Sequence, residues 1–267
     1  GFPSREFKLF MDAIQSPQGL ILVTGPTGSG KTTTLYSALS EINNPDINIL
    51  TAEDPVEYEL QGIGQTQMKD SIGFDFATAL RSFLRQDPDV VLVGEIRDKE
   101  TSEIAIKAAL TGHLVLSTLH TNDAINTISR LINMGVPSYL IAAALTLIIA
   151  QRLGRKICAD CKIEDDKITP EHLTSIGFTT EKASRTKVYK GKGCSKCKDT
   201  GYKGRQGIYE ILEISENMEN AILQNKNTTE LKVIAAKDKF VTMQEMGRSY
   251  LVEGVISFEE FERVLAV

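Results

Sequence analysis

The stretch GLILVTGPTGSGKTTT, Gly19 to Thr34, is the place from which the whole chain is read. Gly19 to Thr24 is an apolar run without polar alternation, the pattern of a strand buried on both faces. Gly25-Pro26-Thr27-Gly28-Ser29-Gly30-Lys31-Thr32 then fits GxxxxGK[ST], and a helical pattern from Thr32 to Ile42 follows, so the motif stands between a strand and a helix as it must. Glycines let backbone N–H groups wrap a phosphate, the helix start adds its positive end, and Lys31 reaches the β/γ-phosphates. Thr32 supplies a hydroxyl for Mg²⁺, and Thr33 completes the binding set. A nucleoside triphosphate site follows, and with no NKxD-type guanine-reading element the base is expected to be adenine.

Working outward, three more apolar runs repeat the strand pattern: Ile47 to Ala52, Asp89 to Val93 and His113 to Thr118. Helical patterns lie between them. Phe76 to Arg85 follows the cap Asp75, Glu100 to Leu110 is capped by Asp98 and stopped by Gly112, and Ala124 to Met134 follows Asn122 and stops at Gly135. Alternating strands and helices predict an α/β fold on a mainly parallel sheet. Val56 to Glu59 and Gly62 to Met68 read as a hairpin. Gln206 to Ile211 reads as a strand, and Ser215 to Leu265 as three or four short amphipathic helices.

The 267 residues, 42% hydrophobic and 24% charged, exclude disordered, collagen-like and disulfide-scaffold classes. A net charge of −5 argues against a protein that coats nucleic acid over its whole surface. The longest apolar stretch, Val136 to Ala150, is broken by Ser138 and Thr146 and falls short of the roughly 18 to 20 residues of a spanning helix. No secretory leader opens the chain, so a cytoplasmic location is expected. The start at Gly1-Phe2-Pro3, without Met, reads as a piece of a longer protein.

Hydrolysis needs a carboxylate to polarise water and cations for transition-state charge. Val90 to Val93 runs into Gly94-Glu95, which puts Glu95 where a Walker B acid sits, with Gly-Glu in place of Asp-Glu. The second run ends in Glu53-Asp54-Pro55-Val56-Glu57, bringing further acids to the same sheet edge, although Asp54 also reads as fixing the turn before Pro55. His120 follows the fourth run on that edge and reads either as a γ-phosphate sensor or as a structural histidine; His113, at the opposite end, is the weaker candidate. Arg81 and Arg85, spaced i, i+4, read either as an exposed charged stripe or as arginine fingers, in cis or across a subunit boundary.

All four cysteines lie between Arg155 and Arg205, a segment with 13 Lys and Arg against 7 Asp and Glu, a net of +6 that leaves −11 for the rest. Cys158-Ala159-Asp160-Cys161 and Cys194-Ser195-Lys196-Cys197 form a CxxC pair of pairs, the pattern of a closed structural Zn²⁺ site. A catalytic zinc would keep an open position, and a redox dithiol would need a thioredoxin-like setting that is absent. The predicted organisation is a nucleotide-binding core over 1–154, a basic tetracysteine element over 155–205 and a helical C-terminal part over 206–267.

GPTGSGKTTT, TAEDPVEY, LRQDPDVVLVGEIRD and TGHLVLSTLHTNDA, in this order, closely resemble the Walker A, Asp box, atypical Walker B and His box of the secretion ATPase superfamily of type II secretion and type IV pilus machines. QRLGRKIC and GRQGIYEIL extend the resemblance over nearly the whole chain, and the cysteines resemble the assembly and secretion branch rather than the retraction motors. The resemblance implies a RecA-like P-loop NTPase core with a tetracysteine zinc-binding insert and a helical C-terminal part. It implies ATP hydrolysis with Mg²⁺, a homo-hexamer, and work on an inner-membrane platform protein from the cytoplasmic face of that membrane, with peripheral association and no nucleic acid. Glu95 would be the Walker B glutamate, Glu53 the Asp-box acid, His120 a His-box residue, and Arg81 and Arg85 arginines near a neighbouring subunit's nucleotide. It also implies an N-terminal domain ahead of Gly1 that supplies further arginines, so this part alone is expected to be weakly active. The contrasting reading is a RecA-like nucleic-acid motor or DNA-binding module with a basic zinc element, which predicts nucleic-acid-stimulated hydrolysis and a steep salt dependence.

Overall fold

The apolar run ahead of the phosphate loop becomes β1 (Gly19–Thr24), preceded by α1 (Ser4–Ile14) and buried along its whole length. A computed structural model describes residues 2–265, apart from the side chain of Asp70. The chain continues through α2 (Lys31–Ile42), β2 (Ile49–Glu53), β3 (Gly64–Gln67), α3 (Phe76–Phe83), β4 (Val90–Val93), α4 (Lys99–Leu110), β5 (Leu114–Leu119), α5 (Ala124–Asn133), α6 (Ser138–Ala144) and β6 (Leu145–Ile157). There follow β7 (Lys162–Glu164), α7 (Pro170–Ser175), α8 (Thr180–Arg185), β8 (Tyr189–Gly191), β9 (Tyr202–Glu213), α9 (Glu216–Leu223), α10 (Thr228–Lys237), α11 (Met243–Val252) and α12 (Phe258–Leu265).

The main sheet has the order β3-β2-β4-β5-β1-β6-β9, and every pairing from β3 to β6 is parallel. Hence β4, β5 and β1 are adjacent and end on one edge, with Val93 beside Ser117 and Thr24 beside Leu119. Side chains tie that edge together where the ladder stops: Ser117 Oγ donates to the Val93 carbonyl at 2.6 Å, Thr118 Oγ1 to that of Gly94 at 2.7 Å, and Thr24 Oγ1 to that of Leu119 at 2.8 Å. These short polar residues are buried and satisfied, which is the condition for placing them in a sheet core.

The four apolar runs all form strands, within two residues of their expected bounds. Asp75 and Asp98 cap α3 and α4 as expected, but the cap of α5 is Asp123, which accepts from Asn126 N, rather than Asn122. The hairpin is corrected: Val56 to Glu59 is irregular, and Gly64–Gln67 pairs in parallel with β2. The reason is the Gln65 side chain, which accepts from Leu60 N at 2.6 Å and donates to Tyr58 O at 3.2 Å, replacing ladder bonds for that loop. The apolar stretch from Val136 splits into a short helix and a strand, and among the described residues no helix is long and apolar enough to cross a membrane.

The chain divides into two compact units, Phe2–Gln151 with Glu210–Val241, and Arg152–Tyr209 with residues 242–265. In the second, Leu173, Ala183 and Val188 share a core with Leu251 and Phe258. Glu260 on α12 is fully buried there and accepts from Arg155 N at 2.6 Å, from Arg155 Nε at 2.8 Å and from Arg263, while the Arg155 guanidinium lies 4.1 Å over the Tyr202 ring. Burial alone would raise the Glu260 carboxyl, but the two arginines outweigh it and hold it at about 2. Stability from this carboxylate is therefore present above the ordinary carboxyl range and is lost as pH falls towards 2. Glu260→Gln is expected to cost about 3 kcal/mol at pH 7 by urea unfolding, because it removes the buried carboxylate charge that Arg155 and Arg263 both reach. The gap to wild type should narrow below about pH 4.5 and vanish near pH 2; an equal gap at pH 7 and pH 2 contradicts the assignment.

Candidate active site and metal centre

The phosphate loop leaves β1 at Gly25 and enters α2 at Lys31, with Gly30 as the helix cap at φ 90°, ψ 21°, a left-handed conformation that glycine adopts without strain. A Cβ on Gly25 would lie 2.4 Å from the Gln151 carbonyl and 2.7 Å from Ser29 Oγ, whereas one on Gly28 would meet nothing within 4 Å. The loop is thus tight at its root and open at its crown. Lys31 Nζ folds over it, donating to the Gly25 carbonyl at 3.0 Å and that of Pro26 at 3.3 Å. Ser29 Oγ is buried with no hydrogen-bond partner among the described residues. A cradle of backbone amides with a lysine, an open crown and an orphaned hydroxyl fits a polyphosphate. Pro26, Thr27, Gly28 and Thr33 are exposed, or nearly so, and Thr32 is half-buried in the first turn of α2.

Two acids stand on the same edge in different surroundings. Glu53, at the end of β2, is buried, and both its oxygens are engaged. Oε1 accepts from Thr51 Oγ1 at 2.5 Å and Gln65 Nε2 at 3.1 Å, and Oε2 accepts from Tyr36 Oη. Burial, then the Glu53 carboxylate, pushes the Tyr36 phenol up to about 12, so it remains a donor at physiological pH. Glu95, just beyond β4, is half-buried and opens towards charged partners. It accepts from Arg97 and lies 3.0 Å from His120 Nε2, and Arg97 also reaches Asp54 Oδ2 at 3.4 Å. The Glu95 hydrogen bond holds the Arg97 guanidinium further in its charged form.

The structure therefore joins His120 to Glu95, and Glu53 to the helix of the phosphate loop through Tyr36. It does not bring Arg81 or Arg85 into that group. Arg81 pairs with Glu100 on α4, Arg85 donates to the Arg81 carbonyl at 3.0 Å, and both are exposed. His113 Nδ1 lies 3.0 Å from the Ala108 carbonyl at the end of α4, a structural contact. Sequence reasoning missed Arg97, Tyr36, Gln65 and Gln151. Arg97 stood two residues from Glu95, Tyr36 stood just over one turn beyond Lys31, and Gln151 opened the quoted stretch QRLGRKIC, which were usable signals; Gln65 carried none.

The four cysteine sulfurs lie within 4.8 Å of one another, with Cys158–Cys194 and Cys161–Cys197 at 3.9 Å and Cys194–Cys197 at 3.7 Å. Tetrahedral thiolates about 2.3 Å from a metal stand about 3.8 Å apart, so the cluster can hold a metal ion. Burial pushes the Cys161 thiol up to about 12, whereas at Cys197 burial is outweighed by N–H donors from Cys194 and Gly201, and the thiol falls to about 7. The amides favour the thiolate that a metal requires. Lys196 and Asp160, paired at 2.6 Å, link the two CxxC turns.

A phosphate loop after β1, a histidine after the adjacent parallel strand β5 and an acid after β4 next to that make a P-loop NTPase core of the RecA-like kind. Residues 1–263 match the Type II/IV secretion system protein family, and the chain belongs to it. It is 49% identical over 260 residues to the type IV pilus assembly ATPase PilB of Myxococcus xanthus, covering 97% of this chain and 46% of that protein. It is 45% identical over 264 residues to type II secretion system protein E of Pseudomonas aeruginosa, covering 99% and 52%. The crystal structure of the pilus retraction motor PilT with bound ADP superposes with a TM-score of 0.71 at 32% identity, covering 98% of this chain and 64% of that one. The chain spans about half the length of the curated relatives it matches.

Protein purified without chelator is expected to carry one metal ion per chain, and Cys194→Ser to lose it together with a thermal transition. Metal well below one equivalent in wild type, or full retention in the variant, rules out the four-sulfur site.

Proposed function

We propose that this chain is the ATP-hydrolysing part of a cytoplasmic motor that powers type IV pilus assembly or type II secretion. The observation that carries the proposal is the shared edge of β1, β5 and β4, where the phosphate loop, His120 and Glu95 end side by side. On this reading Gly25 to Thr33 cradle the nucleotide phosphates, Lys31 offsets their charge, and Thr32 holds Mg²⁺. The metal, when bound, neutralises charge on the phosphate oxygens. Glu95 orients and polarises the attacking water, His120 senses the terminal phosphate from the same hydrogen-bonded pair, and Glu53 fixes the neighbouring loop as a buried acid. Arg81, exposed on α3, and Arg85, exposed in the turn that follows it, serve a neighbouring subunit of a hexamer rather than their own site.

The four cysteines take Zn²⁺ in a closed structural site. Residues 1–154 carry the chemistry, 155–205 form the zinc-stabilised element, and 206–267 supply the helical C-terminal part. The whole protein acts peripherally at the inner membrane on a platform protein, a reading supported by the pilus and secretion relatives.

Steady-state ATP hydrolysis with molecular mass from light scattering tests this. Wild type is expected to turn over ATP with a concentration dependence that follows assembly and no response to DNA. Glu95→Gln should lower kcat on the order of 100-fold while still binding nucleotide, and Lys31→Ala should lose binding. DNA-stimulated turnover, or unchanged turnover in Glu95→Gln, would overturn the proposal.

A further inference from the structure

We infer that Gln151 is a positioning residue that sets the phosphate loop in its binding conformation, an inference resting on the nucleotide-site reading above. Gln151 lies on β6, next to Ala150, which is in register with Thr24 at the end of β1. Its side chain is buried, at 2% exposure, and its amide spans two partners. Nε2 donates to the Ser29 carbonyl at 2.6 Å, and Oε1 accepts from Thr34 Oγ1 at 2.8 Å. Only one orientation of the amide satisfies both. The Ser29 carbonyl must accept, so the NH₂ end faces it, and the Thr34 hydroxyl supplies the donor that the other end needs.

The consequence passes through the planarity of one peptide. In a trans peptide the C=O and the following N–H point in opposite directions. Drawing the Ser29 carbonyl towards Gln151 therefore turns the Gly30 N–H away from β6. Gly30 is the left-handed residue at which the loop becomes α2, so this bond fixes the amide at the cap itself. The same residue also closes on the root of the loop, since its carbonyl would lie 2.4 Å from a Cβ on Gly25. Gln151 thus meets both ends of the loop, its backbone lying close at Gly25 and its side chain bonding Ser29. A core-filling role would be served by Met or Leu without the desolvation cost of a buried amide, which is offset here by the two hydrogen bonds.

The test is titration of the chain with fluorescent N-methylanthraniloyl-ADP and Mg²⁺, alongside melting of the nucleotide-free protein. Gln151→Met keeps the volume and removes both hydrogen bonds; Thr34→Val removes only the orienting hydroxyl. Gln151→Met is expected to bind ADP roughly 10-fold more weakly, and Thr34→Val to shift affinity the same way by less. The double variant should be no weaker than Gln151→Met alone, because Thr34 acts through Gln151. Folded Gln151→Met with wild-type affinity overturns the inference, as do single losses that multiply in the double variant. Where Gln151→Met fails to fold, Thr34→Val with unchanged affinity overturns it. Wild type that binds no ADP removes the nucleotide reading itself, a result distinct from wild type and Gln151→Met binding alike.

Discussion

Parallel pairing of β4, β5 and β1 is the constraint on which the candidate site depends. In a parallel sheet every strand delivers its last residue to the same edge, so three loops far apart in sequence start as neighbours. The register makes this specific: Ser117 lies beside Val93, and Leu119 beside Thr24. Side-chain hydroxyls of Thr24, Ser117 and Thr118 then hold the strand ends together where the backbone ladder stops. A slip of one residue would turn these hydroxyls and the apolar residues between them to the wrong faces.

The two acids on that edge show how one kind of side chain is given two tasks by its surroundings. Glu53 has Thr51, Gln65 and Tyr36 closed around it, so its carboxylate is committed to holding β2, β3 and α2 together. Glu95 instead meets the long or titratable side chains of Arg97 and His120, both largely exposed. On the proposed reading Glu95 exchanges partners with a reacting water, and such replaceable neighbours suit that role. A group that must not move needs the other kind.

Much of this was legible in the sequence because it is local. Continuous apolar runs marked the strands, Asp75 and Asp98 marked helix starts, and the spacing of the phosphate loop and of each CxxC turn is fixed within a few residues. What escaped depends on contacts between distant residues. The Gln65 side chain took over the hydrogen bonds of the loop from Tyr58 to Leu60, and a hairpin pattern became a parallel strand. Arg81 looked unpaired within its own helix because its acid, Glu100, belongs to the next one. Gln151 opens the quoted stretch QRLGRKIC, but nothing local gives its partners; only the fold brings it to Ser29 and Thr34, 122 and 117 residues earlier in the chain.

The interleaving of the two units bears on how the protein is made. Glu210, in the 210–241 stretch of the first unit, is buried and accepts from Ala124 N at 2.6 Å at the first turn of α5, and Arg5 donates to the backbone carbonyl of Asp238 at 3.2 Å. Likewise, the core around Leu173 and Val188 includes Leu251 and Phe258. On a ribosome that delivers the chain from its N-terminus, the nucleotide-binding unit waits for residues 210–241, by which time the cysteine segment has already emerged unfinished. On the proposed reading, a metal taken early by the four thiolates keeps that segment in order during the wait, a role in biogenesis besides the structural one.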